Sequence, residues 1–106
     1  MIEKRFEFTV TDGKVIEKIV EDDNVGINHM VLGNGEALPI HNANSNVYMI
    51  VVRGEVSLNL DDQDTHTWPA GSIMCIPYKT KMHVFNAGET PVELFVVKSP
   101  SPLHMV

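Results

Sequence analysis

Apolar and polar residues alternate in short runs along most of the chain, and glycine, proline or acidic residues separate the runs. Side chains of a β-strand point alternately to its two faces, so each such run predicts a strand. No segment shows a sustained 3.6-residue period. Many short strands at this spacing indicate an all-β barrel or sandwich. The predicted strands cover residues 3–10, 15–20, 25–32, 37–42, 46–53, 56–60, 65–68, 72–77, 82–86 and 92–98.

The breaks between these runs carry structural information of their own. Asp12-Gly13 stands between the first two strands and predicts a hairpin there. The acidic cluster at residues 21–24 lacks the ligand spacing of a calcium loop, so we interpret it as a solvated turn. His29 lies in the middle of the third predicted strand, where a structural role is the commoner one.

The stretch from residue 35 to residue 54 organises the chain, and we interpret it as two strands joined by a polar turn. Val47, Met49 and Val51 share one face of the second strand. The opposite face carries Tyr48, Ile50 and Val52 and is almost as apolar, which is typical of a strand buried on both sides. Another element or a second copy of the chain has to cover that face, so we expect a homodimer.

The spacing within this stretch resembles the first motif of the cupin superfamily, G-x5-H-x-H-x3-E-x6-G. Gly35, His41 and Gly54 match the motif, whereas Ala43 and Val47 stand at the second histidine and the glutamate. Residues 71–86 resemble the second cupin motif, G-x5-P-x-G-x2-H-x3-N. Here Gly71, Pro77 and Asn86 match, Lys79 replaces the glycine and Met82 replaces the last histidine.

The resemblance implies one small cupin domain over residues 1–106, an RmlC-like jelly-roll barrel or double-stranded β-helix. In the family, the two histidines and the glutamate of the first motif and the histidine of the second bind a metal inside the barrel. Ala43, Val47 and Met82 cannot do so through nitrogen or oxygen, so we expect no metal or other cofactor.

Two alternative metal sites remain open at this point. A bulge in the connection after Pro77, before the ninth predicted run, would turn His83 inward in place of Met82, so that His41 and His83 form a two-histidine pocket. Alternatively, His41, Met49, Met82 and Cys75 provide thioether, imidazole and thiolate ligands for Cu(I). The simpler interpretation is that the methionines fill the core and that Cys75 is a small buried hydrophobic residue.

The function that we predict is binding of a small organic ligand in an apolar barrel cavity, with His41 as the polar contact and the candidate catalytic group. Apolar neighbours would bury the His41 ring. The alternatives are a metal-independent isomerase or epimerase, a metal-dependent cupin enzyme with unusual ligands, and a structural protein without a ligand. An imidazole and phenol pair is not visible, because alternation turns Tyr48 away from His41. The predicted ligand-binding residues are His41, Ala43, Val47, Met49, Met82 and Val84.

Composition narrows the classes of partner. Fourteen acidic residues against eight Lys and Arg give a net charge of −6, which disfavours nucleic acid and anionic membranes. No apolar run approaches the roughly 20 residues of a membrane span. The N-terminus lacks the apolar segment of a secretory signal, and one cysteine excludes an internal disulfide. We therefore expect a cytoplasmic location.

Overall fold

The computed structural model describes residues 1–105, which form nine β-strands and one short 3₁₀ helix. No helix among these residues is long and apolar enough to cross a membrane. The strands fall on nine of the ten predicted runs. They are β1 (Val15–Glu21), β2 (Gly26–Leu32), β3 (His41–Asn42), β4 (Val47–Arg53), β5 (Glu55–Leu60), β6 (His66–Pro69), β7 (Ile73–Ile76), β8 (Lys81–Phe85) and β9 (Val92–Lys98), and the helix is Pro102–His104.

Two sheets face each other and enclose one apolar core. The larger sheet has the strand order β1-β2-β9-β4-β7, and the smaller has the order β3-β8-β5-β6. All of their described pairings are antiparallel. Side chains of β2, β4 and β9 meet those of β5 and β8 between the sheets. This all-β double-sheet architecture confirms the predicted fold class.

The two strands of the 35–54 stretch, which the sequence predicts as a pair joined by a polar turn, do not pair with each other. β3 pairs with β8 in the smaller sheet, whereas β4 pairs with β7 and β9 in the larger one. The polar turn between them therefore carries the chain from one sheet to the other. Backbone pairing within residues 37–42 is limited to an isolated bridge at Ala37 and the two-residue strand β3. Pro39 lies between them and has no N–H to donate.

The predicted strand over residues 3–10 is also absent. The N-terminal segment crosses the outer face of the larger sheet and is held by side chains instead of a backbone ladder. Thr9 donates its backbone N–H and its hydroxyl to the carboxylate of Glu17 on β1, at 2.8 and 2.9 Å. Arg53 on β4 donates to the Thr11 carbonyl at 2.8 Å and also pairs with Asp12. These contacts extend from β1 to β4, so the segment runs across the strands of the sheet and does not pair with one of them.

His29 on β2 is the centre of the surface beneath this segment. Its ring is fully buried, with Nδ1 2.7 Å from Glu17 Oε2 and Nε2 2.6 Å from Glu93 Oε2. The rings of Phe8 and Phe95 pack on the imidazole, with centroids 4.7 and 4.9 Å away. The histidine therefore has a structural position outside the barrel interior, joining β1, β9 and the N-terminal segment.

Three residues of the cupin-like motifs have clear backbone roles. Gly54 has a φ of 72°, and a β-carbon there would lie 2.3 Å from the Pro91 carbonyl oxygen, so no other residue fits without a backbone shift. Asn86 is buried and donates to the carbonyls of Leu32 and Thr90 at 2.9 and 2.8 Å. Lys79, at the position of a family glycine, retains a positive φ of 74°.

The N-terminal segment covers the outer face of the larger sheet over β1, β2 and β9, and it leaves part of β4 and β7 exposed. Beyond the N-terminal segment, Tyr48, Val52 and Ile73 remain 42%, 47% and 66% exposed. Cys75 pairs directly with Tyr48 across β7 and β4 and is exposed as well, so its predicted burial is wrong. The outward side chains of the edge strand β7, Ile73 and Cys75, are therefore exposed among residues 1–105.

We expect the Glu17 carboxylate to stabilise the fold only when it is ionised. The hydrogen bond from the Thr9 backbone N–H, followed by that from His29, lowers the pKa of Glu17 below its ordinary value of 4.5. The stabilisation is therefore present above that value and is lost as the pH falls through the folded-state pKa. Urea unfolding should show Glu17→Gln with a lower midpoint than wild type at pH 7, and the gap should narrow as the pH is lowered toward the acid range. Glu7→Gln is the control, because Glu7 is exposed and pairs with Arg5 in the N-terminal segment. A gap that stayed constant as the pH fell would contradict this account.

Candidate functional site

One end of the barrel contains a cavity of about 200 Å³ between the two sheets. It lies where β3 and β8 begin their pairing and where β9 ends beside the start of β4. Most of its wall is apolar, and a few polar side chains join it. The lining residues are Ile16, Asn28, Met30, Leu38, Pro39, His41, Ala43, Asn44, Val47, Met49, Met82, Val96 and Lys98.

Strand alternation brings five of the six predicted ligand-binding residues to this wall. Val47 and Met49 point inward from β4, and Met82 points inward from β8, where it pairs with His41 of β3. Ala43 is held beside them by backbone hydrogen bonds to Thr80 and Lys79, at 2.8 and 2.9 Å.

Val84, the sixth predicted residue, lies deeper in the barrel. It is fully buried in the core and does not line the cavity. Val84 follows Met82 by two residues on β8 and therefore points to the same inward face. At that depth, other core side chains pack around it.

His41 lines the cavity but is not buried, so the predicted enclosure of its ring by apolar side chains is wrong. The side chain is exposed, because β3 is only two residues long and lies at the edge of its sheet. Nδ1 lies 2.8 Å from the carbonyl oxygen of Pro39, which can only accept, so Nδ1 carries a proton. In the neutral ring, Nε2 therefore remains an acceptor with no partner among residues 1–105.

His83 lies on the opposite face of β8 from Met82. The ladder between β5 and β8 continues without a bulge, and His83 pairs with Asn59 on the outer surface. Its ring stacks on Phe85, with centroids 4.6 Å apart. The structure therefore does not bring His83 to the cavity with His41, and the inward turn on which the two-histidine alternative depends is absent.

The Cu(I) alternative lacks its thiol ligand, because Cys75 also lies on the face of its sheet that points away from the cavity. Cys75 pairs with Tyr48 on the outer face of the sheet, whereas Met49 and Met82 line the cavity. His66 and His104 are exposed and lie outside the cavity, as expected from their positions in the chain.

The side chains at the metal positions of the cupin motifs do not fit a transition metal. Ala43 and Val47 offer no ligand atom, Met82 offers a thioether, and His41 is the single imidazole. No group of three or more His, Cys, Asp or Glu side chains within residues 1–105 is arranged to hold a metal ion. A catalytic metal usually needs about three protein ligands, which this wall does not supply.

The polar side chains that sequence reasoning missed are Asn28, Asn44 and Lys98. Lys98 ends β9 on the inward face, two residues after Val96, and Asn28 precedes Met30 on the inward face of β2. The alternation of inward residues along the last strand indicated the position of Lys98. The run Val92, Leu94, Val96 reaches a lysine at its next inward position.

Lys98 is the one formally charged side chain on the cavity wall. Burial lowers the pKa of Lys98, and the positive charge of nearby Lys18 lowers it further, while Glu21 opposes this effect. Glu21 itself pairs with Lys18 at 3.5 Å. Within residues 1–105, no carboxylate lies within ion-pair distance of the Lys98 ammonium. Gly26 lies opposite Lys98 on β2.

Two facing antiparallel sheets with an apolar cavity at one end define a small-barrel protein of the double-stranded β-helix class. The chain belongs to the RmlC-like cupin family. It is 43% identical to a solved RmlC-like cupin family protein from Methanocaldococcus jannaschii with a double-stranded β-helix fold. That match has a TM-score of 0.94 and covers 97% of this chain and 95% of the other.

The curated sequence of that same M. jannaschii protein, which is uncharacterized, is 44% identical over 103 residues, covering 96% of this chain and 89% of the relative. A Klebsiella pneumoniae protein with a double-stranded β-helix domain has a TM-score of 0.76 at 15% identity, covering 89% and 83% of the two chains, and shares the fold. No family model matches the sequence.

We expect the wild-type protein to contain less than about 0.1 transition metal ion per chain and the triple variant Ala43→His, Val47→Glu, Met82→His to bind about one. The three positions line one cavity with His41, so the new side chains would complete a ligand set. Elemental analysis after dialysis measures both. The triple variant with His41→Ala is the control and should lose the metal. One metal per wild-type chain, or a folded triple variant without metal, would contradict the prediction.

Proposed function

We propose that this cupin binds a small organic ligand in the cavity between its sheets, without a metal, and that His41 is one of the polar contacts. The observation that carries the proposal is an open cavity of about 200 Å³ with a largely apolar wall and a few polar side chains. That composition is typical of small-molecule sites, although their volume is more often roughly 300–1,000 Å³. The ligand should therefore be smaller than a nucleotide sugar.

Packing around the cavity supports a role in binding over a purely structural one. Met49 and Met82 are flexible enough to fill gaps, yet a space remains between them and Met30. An open, largely apolar space that flexible side chains leave unfilled is typical of a binding site.

His41 can serve the ligand in two ways. Because Nδ1–H is engaged with the Pro39 carbonyl, neutral Nε2 can accept a hydrogen bond, and the protonated ring can donate one. A phenol and imidazole pair would need a tyrosine hydroxyl in reach of the same substrate as His41. Tyr48 does not provide it, since its ring is on the outer face of β4. The same position argues against a phenol and imidazole pair of the isomerase type.

We expect cavity ligands to move the methyl resonances of Met30, Met49 and Met82 in NMR spectra of protein labelled at methionine. Met1 and Met105 serve as internal references outside the cavity. Ala43→Phe should weaken binding at least about tenfold, because the ring occupies the ligand volume. Suitable probes are small sugars, keto acids and small aromatic compounds.

The matched control is Ala87→Phe, which adds the same ring at an exposed loop position and should leave binding unchanged. If none of the probes moves the three cavity methyl resonances in wild type, the cavity is a packing defect and the proposal fails. If Ala43→Phe is folded and binds as wild type does, the ligand lies elsewhere and the proposal fails as well.

We also propose that two copies pair through the exposed outer face of β4 and β7. Tyr48 and Ile73 on this face are uncharged and apolar in a chain of net charge −6. Light scattering should give twice the chain mass of 11.8 kDa. Tyr48→Glu with Ile73→Glu should give monomers, since like charges would meet across the interface. Ile40→Glu, on a loop next to the smaller sheet, is the control. A wild-type monomer at micromolar concentration would contradict the proposal.

The cellular location that we propose is the cytoplasm. Cys75 is exposed and free. Free surface thiols persist in reducing compartments and are oxidised readily outside them.

A further inference from the structure

We infer that the ligand of this cavity is a small amphipathic monocarboxylate, bound with its charged group at Lys98 and Asn28 and with its apolar body against the methionines. This inference rests on the proposed ligand binding and adds the chemical class of the ligand. It derives from the charge of the wall, its division into polar and apolar parts, and its size.

The charge of the cavity opposes that of the protein. The chain has a net charge of −6, yet no acidic side chain lines the cavity and Lys98 contributes one positive charge. A partly buried ammonium is unfavourable unless an opposite charge or hydrogen-bond acceptors replace the lost water. Glu21 on β1 opposes the effect of burial in part, and it is paired with Lys18 at 3.5 Å. No carboxylate of residues 1–105 forms an ion pair with Lys98, so a bound anion would complete the compensation.

The polar residues lie together at one part of the wall. Lys98 pairs with Gly26 on β2, and Asn28 lies two residues further along the same strand, so both are on the inward face of neighbouring strands. Asn44 lies in the turn before β4, whose first residue, Val47, pairs with Lys98. The three side chains also line a second cavity of about 150 Å³, next to the first. Amide N–H groups beside an ammonium are suitable donors to a carboxylate.

The remainder of the wall suits an apolar body. Met30, Met49 and Met82 come from three different strands and surround the space with Val47 and Val96. One lysine matches the single charge of a carboxylate, whereas a phosphate dianion would leave a negative charge uncompensated. A carboxylate with a short hydrocarbon tail therefore satisfies both parts of the wall within 200 Å³.

The burial of Lys98 has a second consequence that can be measured. In the folded protein the charged lysine is disfavoured relative to the unfolded chain, as its lowered pKa indicates. At neutral pH, where the lysine is charged in the unfolded state, this lowers the stability of the unliganded protein. A residue that reduces stability in this way and has no ion-pair partner among residues 1–105 is typical of a binding residue.

The test uses hexanoate, its neutral analogue hexanamide, and butyl phosphate with wild-type protein and Lys98→Met. Hexanoate should shift the methyl resonances of Met30, Met49 and Met82 in wild type and bind at least about tenfold more tightly than hexanamide, as expected for a charge-assisted contact. Lys98→Met keeps the length of the side chain and should remove this preference. It should also raise the melting temperature of the unliganded protein, and Lys98→Arg should retain hexanoate binding.

Controls separate this inference from the proposed function. Lys14→Met removes the same charge at an exposed position outside the cavity and should change neither binding nor stability. If hexanamide binds as well as hexanoate and Lys98→Met has no effect, the cavity binds ligands but the anionic class is wrong. Tighter binding of butyl phosphate than of hexanoate would overturn the carboxylate assignment. If Lys98→Met does not fold, Lys98→Gln takes its place with the same expected loss of preference.

Discussion

The two-residue period of the strands in the larger sheet is the constraint on which the other features depend. Across β2, β9 and β4, alternate side chains enter the barrel and form its core and cavity, while the others face outward. Both sets are largely apolar, so the outer face needs its own cover. The N-terminal segment supplies it over β1, β2 and β9 through Phe8 and Glu17. One pattern in the sequence thus explains the cavity, the position of the segment and the exposed patch at β4 and β7.

The features that could be predicted are those that depend on local alternation. The inward positions of Val47, Met49 and Met82 follow from their neighbours in the strand, and the structure has them at the cavity. Which strands pair with each other depends on residues far apart in the chain. The sequence pattern therefore could not show that β3 and β4 belong to different sheets. The alternating residues 3–10 failed as a strand because side-chain contacts with Glu17 and His29 hold them across the sheet. Lys98 lies beyond both cupin motifs, at the end of a strand whose earlier inward positions are all apolar, so alternation gives its inward direction but neither motif spacing nor an apolar side chain marks it as a cavity residue.

Several residues of this chain that match the cupin motifs determine the course of the backbone. Gly54 permits the close approach of Pro91, and Asn86 satisfies two carbonyls in the interior. Neither role depends on a metal. The positions that would bind one, such as Ala43 and Val47, are instead packed into an apolar wall. The barrel and its chemistry are therefore separable, as is general for folds that support many functions.

The position of His29 links the N-terminal segment to the strength of the sheet beneath it. The ring nitrogens lie 2.7 and 2.6 Å from carboxylate oxygens of Glu17 on β1 and Glu93 on β9, so one side chain of β2 contacts both neighbouring strands. Phe8 packs on the same ring, and Thr9 donates to the same Glu17 carboxylate. Separation of the N-terminal segment from the sheet would therefore uncover the histidine and remove hydrogen bonds from its carboxylate partner in a single event.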